Sequence, residues 1–151
     1  MPKQHRKWYI LLFAAYCVIM LWLLFGQRWG QNAGGLNLEP FHTLRLFWWV
    51  LENSHQPEQL RHAVINLGGN VAMFVPLGFF VPCIWEKMGK IGWHFLCMVL
   101  IILAVELLQL ATGLGSCDVD DLMLNLIGTA MGFGLFHLGR NLQKRNSRGG
   151  S

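Results

Sequence analysis

Four stretches of this chain are each long and apolar enough to cross a lipid bilayer, and that limits its possible folds more than any other feature. They run over residues 8–25 (WYILLFAAYCVIMLWLLF), 62–84, 91–112 and 120–138. A hydrocarbon core of roughly 30 Å calls for about 20 apolar residues per helical span. Inside lipid every backbone polar group must be satisfied within the protein, so runs of this length fold as helices. Hydrophobic residues make up 54% of the chain and charged residues 13%, against the roughly 25% charged of an ordinary soluble domain. The reading is an all-α membrane protein with four transmembrane helices. It is organised as a single transmembrane domain over 1–139, followed by a basic tail over 140–151 that is expected to be disordered and cytoplasmic.

The Lys and Arg residues lie beside the apolar ends, where they orient spans. With the N-terminus cytoplasmic, the inside segments carry Lys3, Arg6, Lys7, Lys87, Lys90, Arg140, Lys144, Arg145 and Arg148, and the outside carries only Arg28, Arg45 and Arg61. Both termini are therefore expected in the cytoplasm of a cell bounded by this membrane. The net charge of +4 is spent on that asymmetry, and no basic module with aromatic stacking platforms suggests a nucleic-acid partner. The basic lead before Trp8 resembles a signal peptide, but GQRWGQ lacks a small-x-small cleavage site, so a signal-anchor helix is expected. Four cysteines and six histidines scattered singly make neither a disulfide framework nor a zinc site.

The first extracytoplasmic loop contains LNLEPFHTLRLFWWVLE, in which Leu44, Phe47, Trp48 and Leu51 recur at helical spacing. At about a dozen residues it is too short to span, which predicts an interfacial or re-entrant helix. Pro40 suits a turn or helix start. Glu52 to Arg61 reads as a polar linker.

Polar residues inside the spans converge in depth. Asn66 and Asn70 share one face of the second span, and Glu106 and Gln109 share one face of the third. Asp121, Asn125, Gly128 and Gly132 stay within about 60° of one another on the fourth. With Asp118 and Asp120 beside them, these side chains predict a shared outward-facing pocket in the outer third of the bilayer: Asn66, Asn70, Glu106, Gln109, Asp118, Asp120, Asp121 and Asn125. The plain alternative is packing. Amides bridge helices in membranes, GxxxG pairs let helices approach, and one Asp caps a helix start. Gly69, Pro76, Gly78, Gly128 and Gly132 are read as packing or bending positions. Glu106 resists that reading, since an acid at a helix centre costs about 2.5–3.5 kcal/mol on insertion scales.

These stretches resemble the VanZ-like family of small bacterial membrane proteins. NLEPF (37–41), NLGGNVAMFVPLGFFVP (66–82), ELLQL (106–110) and DVDDLMLNLIGTAMG (118–132) match its motifs in order, over roughly 37–138. The match carries over Asn37, Pro40, Phe41, Asn66, Asn70, Phe74, Pro76, Gly78, Glu106, Gln109, Asp118, Asp121, Asn125 and Gly128. It implies a cell-envelope protein that lowers susceptibility to teicoplanin or related lipoglycopeptides. Some members carry an Arg before the acidic loop, where this chain has Leu114 and Gly115.

Three functions are compatible with the residues. The first is binding of an envelope lipid, a peptidoglycan-precursor headgroup or the lipoglycopeptide itself. A divalent cation held by Glu106, Asp118 and Asp121 would help a phosphate past the acids. The second is an enzyme acting on envelope lipids through Glu106 and the 118–121 carboxylates. It is disfavoured by the lack of a convincing nucleophile, and no catalytic residue is assigned. The third is a small transporter or structural accessory protein, with a homo-oligomer supplying further helices.

Overall fold

The structure, a computed structural model, describes residues 6–26, 35–53, 57–114 and 116–149. Five α-helices follow in order: α1 (Arg6–Leu21), α2 (His42–Asn53), α3 (Pro57–Ile84), α4 (Ile91–Thr112) and α5 (Val119–Gly149). A π-type turn, Trp22–Gly26, continues α1, and a 3₁₀ turn, Glu86–Gly89, links α3 to α4. Two three-residue strands, β1 (Gly35–Asn37) and β2 (Ser116–Asp118), complete the described elements. Four helical segments are long and apolar enough to cross a membrane: Arg6–Gly26, Pro57–Ile84, Ile91–Thr112 and Val119–Ser147. The chain is a multi-pass membrane protein whose short extra helix is α2.

Exposed apolar surface makes the same point physically. Leu96, Leu100, Leu103 and Leu107 line one uncovered face of α4, and Ile127, Met131, Leu135 and Leu138 one face of α5. Continuous stripes of this kind are a liability in water and the natural surface in lipid.

The α3–α5 pair is the centre of the bundle. Its partners advance together, Gly128 against Val71 and Gly132 against Val75, so the two helices run parallel. A Cβ added at Gly128 would overlap the Val71 carbonyl oxygen, and one at Gly132 the Val75 carbonyl oxygen. Across the contact, a Cβ at Gly78 would overlap the Thr129 carbonyl oxygen. Without a hydrophobic drive between helices in lipid, such backbone-to-backbone approach is what holds them. Gly69 is different: a Cβ there would meet nothing within 4 Å. α3 runs unbroken through both Pro76 and Pro82.

α1 packs antiparallel on α3, with Phe13 against Phe80 at 6.3 Å and Tyr16 Oη donating to the Met73 carbonyl at 2.6 Å. α4 lies antiparallel to α5, with His94 stacked on Phe133 at 4.2 Å. Met20, Leu24, Phe74, Leu77, Val81, Met98 and Ile102 form the core between the helices. α4 ends at Gly113, whose φ of 68° is the left-handed conformation that a helix-terminating glycine adopts.

Three boundaries differ from the sequence reading. α3 begins at Pro57, inside the expected polar linker, because proline suits the first helical position and Glu58 follows in the first turn. α5 continues to Gly149, so residues 140–149, expected to be disordered, are helical. The segment holds good helix formers, among them Leu142, Gln143, Lys144 and Arg145, with no Pro to stop the helix. On α2 the inward face is Leu44, Phe47 and Val50; Trp48 and Leu51 are exposed. An amphipathic stripe drifts with the 3.6-residue turn, and the sequence does not fix which edge faces the protein.

Candidate functional site: an acid–asparagine cluster at one end of the bundle

The site begins with the shortest elements. β1 and β2 pair in parallel, Gly35 with Ser116, Leu36 with Cys117 and Asn37 with Asp118. This ladder seats the NLEPF segment on the first turn of α5. Asn37 Nδ2 donates to Asp118 Oδ2 at 2.9 Å. The other oxygen of Asp118 accepts the Asp120 N–H at 2.8 Å, which is the work of a helix N-cap. Glu39 N–H closes the loop on Asn37 Oδ1 at 3.1 Å.

Asp120 faces the other way. It is 2% exposed, and its two oxygens accept the Phe41 N–H at 2.6 Å and the Thr43 N–H at 2.7 Å. These are donors that the start of α2 would otherwise leave unsatisfied, and a carboxylate there also meets the positive end of the helix dipole. Phe41 holds a left-handed φ of 64°, strained for a bulky side chain. It sits after Pro40 in a turn closed by the His42 N–H to the Glu39 carbonyl at 3.4 Å. Asp120 clamps that turn.

Two further acid–amide pairs descend into the bundle. Asn70 Nδ2 on α3 donates to Asp121 Oδ1. One turn along α5, Asn125 Nδ2 approaches Glu106 Oε1 on α4 at 3.5 Å, a long contact, with both residues only 3% exposed. Glu106 lies six residues before the end of α4, about 9 Å along the helix. The second polar atom of Asn125, Oδ1, is buried with no hydrogen-bond partner among the described residues. Three acid–asparagine pairs therefore stack in tiers: Asp118–Asn37, Asp121–Asn70 and Glu106–Asn125.

The remaining residues of the predicted pocket lie apart. Gln109, 4% exposed, sends its amide to the Leu24 carbonyl at 3.2 Å and holds the π-type turn of α1. Asn66 is exposed on α3. Among the described residues no group of three or more His, Cys, Asp and Glu side chains is placed to hold a metal ion. The donor set of Glu106, Asp118 and Asp121 is distributed over separate tiers.

Cys117 is half-buried beside this cluster. Burial, followed by the charges of Glu106 and Asp118, pushes its thiol above the ordinary range. A raised value keeps the sulfur protonated through neutral pH, where the thiol is a poor nucleophile. In a background lacking the other three cysteines, maleimide should label Cys117 more slowly than a free cysteine at pH 7.5. Glu106→Gln should speed the reaction by removing one of the opposing charges, while burial still holds it below the free-cysteine rate. Labelling at the free-thiol rate in the parent would contradict this account.

Sequence reasoning missed the second polar cluster, at the opposite end. His94 is fully buried, His137 packs on Phe133 at 4.4 Å, and Arg140 Nη2 lies 3.2 Å from His137 Nδ1. Arg140 also lies over the Phe136 ring at 5.4 Å. Single histidines separated by 43 positions carry no local signal; only the antiparallel α4–α5 contact joins them.

The profile of the VanZ/LLP1 family matches residues 9–140. A curated relative, Protein VanZ of Enterococcus faecium, is 24% identical over 134 residues, spanning 84% of this chain and 72% of the relative. No solved structure gives a significant match. The matched span takes in most of the first and last membrane-crossing helices, the whole of the two between them, the β1–β2 ladder and every acid–asparagine pair, so the chain belongs to the VanZ/LLP1 family.

Proposed function

We propose that this chain is a VanZ-like protein of the bacterial cell membrane that lowers susceptibility to teicoplanin or related lipoglycopeptides. Both termini are cytoplasmic, a reading that the Lys and Arg asymmetry supports, and the acid–asparagine end faces outward. There it binds an envelope lipid, a peptidoglycan-precursor headgroup or the drug. The observation that carries this reading is the Glu106–Asn125 pair, two polar side chains buried to 97% at the foot of a polar cluster. A purely structural contact between α4 and α5 would be made at lower cost by uncharged groups.

Family membership and the relative named Protein VanZ support the resistance role. The enzyme reading has less behind it, because the thiol beside the acids, Cys117, is pushed by burial and by the neighbouring acids away from its reactive thiolate.

The deciding measurement is teicoplanin susceptibility of a host with and without the gene, beside a Glu106→Gln variant. Expression should raise the inhibitory concentration, and the variant should return it to the level of the empty host while membrane abundance stays unchanged. Full protection by Glu106→Gln would reject the site. Protection and protein lost in parallel would assign Glu106 to packing.

A further inference from the structure

At the end of the bundle opposite the acid–asparagine cluster, donors and positive charge gather without an anion. Arg140 is half-buried and fixed from several sides. A guanidinium has only donors to offer, so its Nη2 donates to His137 Nδ1 at 3.2 Å. Its central carbon lies 5.4 Å from the centre of the Phe136 ring. A Cβ built on Gly89 would stand 3.8 Å from Nη1, which brings the guanidinium to the 3₁₀ turn before α4. Arg45 and Arg61 pair with Glu39 and Glu58. Arg140 has no carboxylate partner among the described residues, and its Nε is buried without a hydrogen bond there. Glu86, the acid of that turn, is exposed and makes no ion pair with it.

The adjoining helix start is equally unmet. No side chain caps α4. The Lys90 N–H donates to the Lys87 carbonyl at 3.3 Å and the His94 N–H to the Lys90 carbonyl at 3.0 Å. The N–H groups of Ile91, Gly92 and Trp93 are left without a partner among the described residues. Such groups at the positive end of a helix favour an anion. A Cβ at Gly92 would meet nothing within 4 Å, so the approach is open. Lys87 and Lys90, both exposed, flank Gly89 and add charge. On the inner side His94, beside Met88 and His137, is fully buried with neither ring nitrogen hydrogen-bonded among the described residues. What the whole cluster lacks is a negatively charged acceptor.

We propose that Arg140, Lys90 and the first turn of α4 bind the phosphate group of an anionic ligand. Phosphate oxygens match both the guanidinium fork and backbone N–H groups. Exposed Trp85 and Trp93 flank the turn, as aromatic side chains do at headgroup level. Basic sites between helix ends at this level take phospholipid headgroups. The seat lies at the surface, so a lipid phosphate reaches it laterally without entering the packed bundle. A soluble phosphate offers the same chemistry. This site is at the other end of the molecule from the acid–asparagine pairs and stands whether or not those bind a ligand.

The test uses the full chain in dodecyl maltoside, a detergent without phosphate. Phosphatidylglycerol added to the micelles should raise the unfolding midpoint by several degrees and saturate. Inorganic phosphate, exchanged for chloride at constant ionic strength, is the second arm. A shift from phosphate that also competes with the lipid identifies soluble phosphate as a further source; a shift from the lipid alone identifies the headgroup. Arg140→Gln should weaken the apparent affinity about tenfold or more, as loss of hydrogen bonds from a charged donor requires. Arg145→Gln removes the same charge from an exposed position on α5, and should change it less than about twofold, since solvated charges are screened. Lys90→Gln, at an exposed position, should weaken binding severalfold and serves where Arg140→Gln fails to fold. Equal weakening by Arg140→Gln and Arg145→Gln would reduce the effect to general attraction and overturn the proposal. Undiminished affinity in Arg140→Gln or Lys90→Gln, or no shift from either phosphate source, would overturn it as well.

Discussion

Gly132→Ala is expected to disrupt the bundle, although it adds only one methyl group. The new Cβ would occupy the space of the Val75 carbonyl oxygen and come within 2.8 Å of the Phe79 nitrogen. Overpacked cores lose about 1–3 kcal/mol when neighbouring side chains can yield. Here the obstacles are backbone atoms of a helix, which move only if α3 and α5 separate. A loss of about 3 kcal/mol or more is expected, a large part of a typical stability of roughly 5–15 kcal/mol. The unfolding midpoint in detergent should fall steeply and the folded yield with it. Gly69→Ala is the control, because its Cβ enters open space and should leave the midpoint close to wild type. A Gly132→Ala protein as stable as the parent would show that α3 and α5 do not meet as described.

Asp120→Ala is the second large effect, and it should be local. The substitution removes both acceptors from the Phe41 and Thr43 N–H groups. Hydrogen bonds to a charged partner contribute about 1.5–3 kcal/mol each. Phe41 would also lose the contact that holds its left-handed backbone. The turn and α2 should detach while the four long helices stay assembled. Hydrogen exchange over residues 41–53 should accelerate by two orders of magnitude or more, with little change in α3 and α5. Asp120→Asn keeps one acceptor oxygen and should fall between. Unchanged exchange in Asp120→Ala would mean that α2 is held by Leu44, Phe47 and Val50 alone.

The four spans were legible because a bilayer imposes a length and a polarity that composition alone reveals. The short helix was also legible, from its period. Its inward face was not, since Leu44, Phe47, Trp48 and Leu51 satisfy the same period as the observed Leu44, Phe47 and Val50. Depth reasoning placed Glu106, Asn125, Asp121 and Asn70 at one end of the bundle, where the structure joins them in pairs. It could not separate the three aspartates by task. Asp118 and Asp120 are one turn of chain apart from Asp121 at most, yet each faces a different element. The partners of the first two are β1 and the Phe41 turn, and three-residue strands have no periodicity to detect. Gln109 shows the complementary limit: helical spacing put it beside Glu106, and the structure turns it to a carbonyl that the end of α1 presents.

The parallel ladder sets the order in which the molecule can be completed. Asn37 and Asp118 are 81 positions apart, and α2, α3 and α4 all lie between them. While the chain is being threaded into the bilayer, α2 can already pack on α3, but β1 and the Phe41 turn have no partner until the start of α5 is synthesised. Contacts of such long sequence separation form late. The last span to enter is therefore the one that fixes β1 and the turn after it, and a protein truncated before Ser116 would retain three spans but leave β1 unmatched.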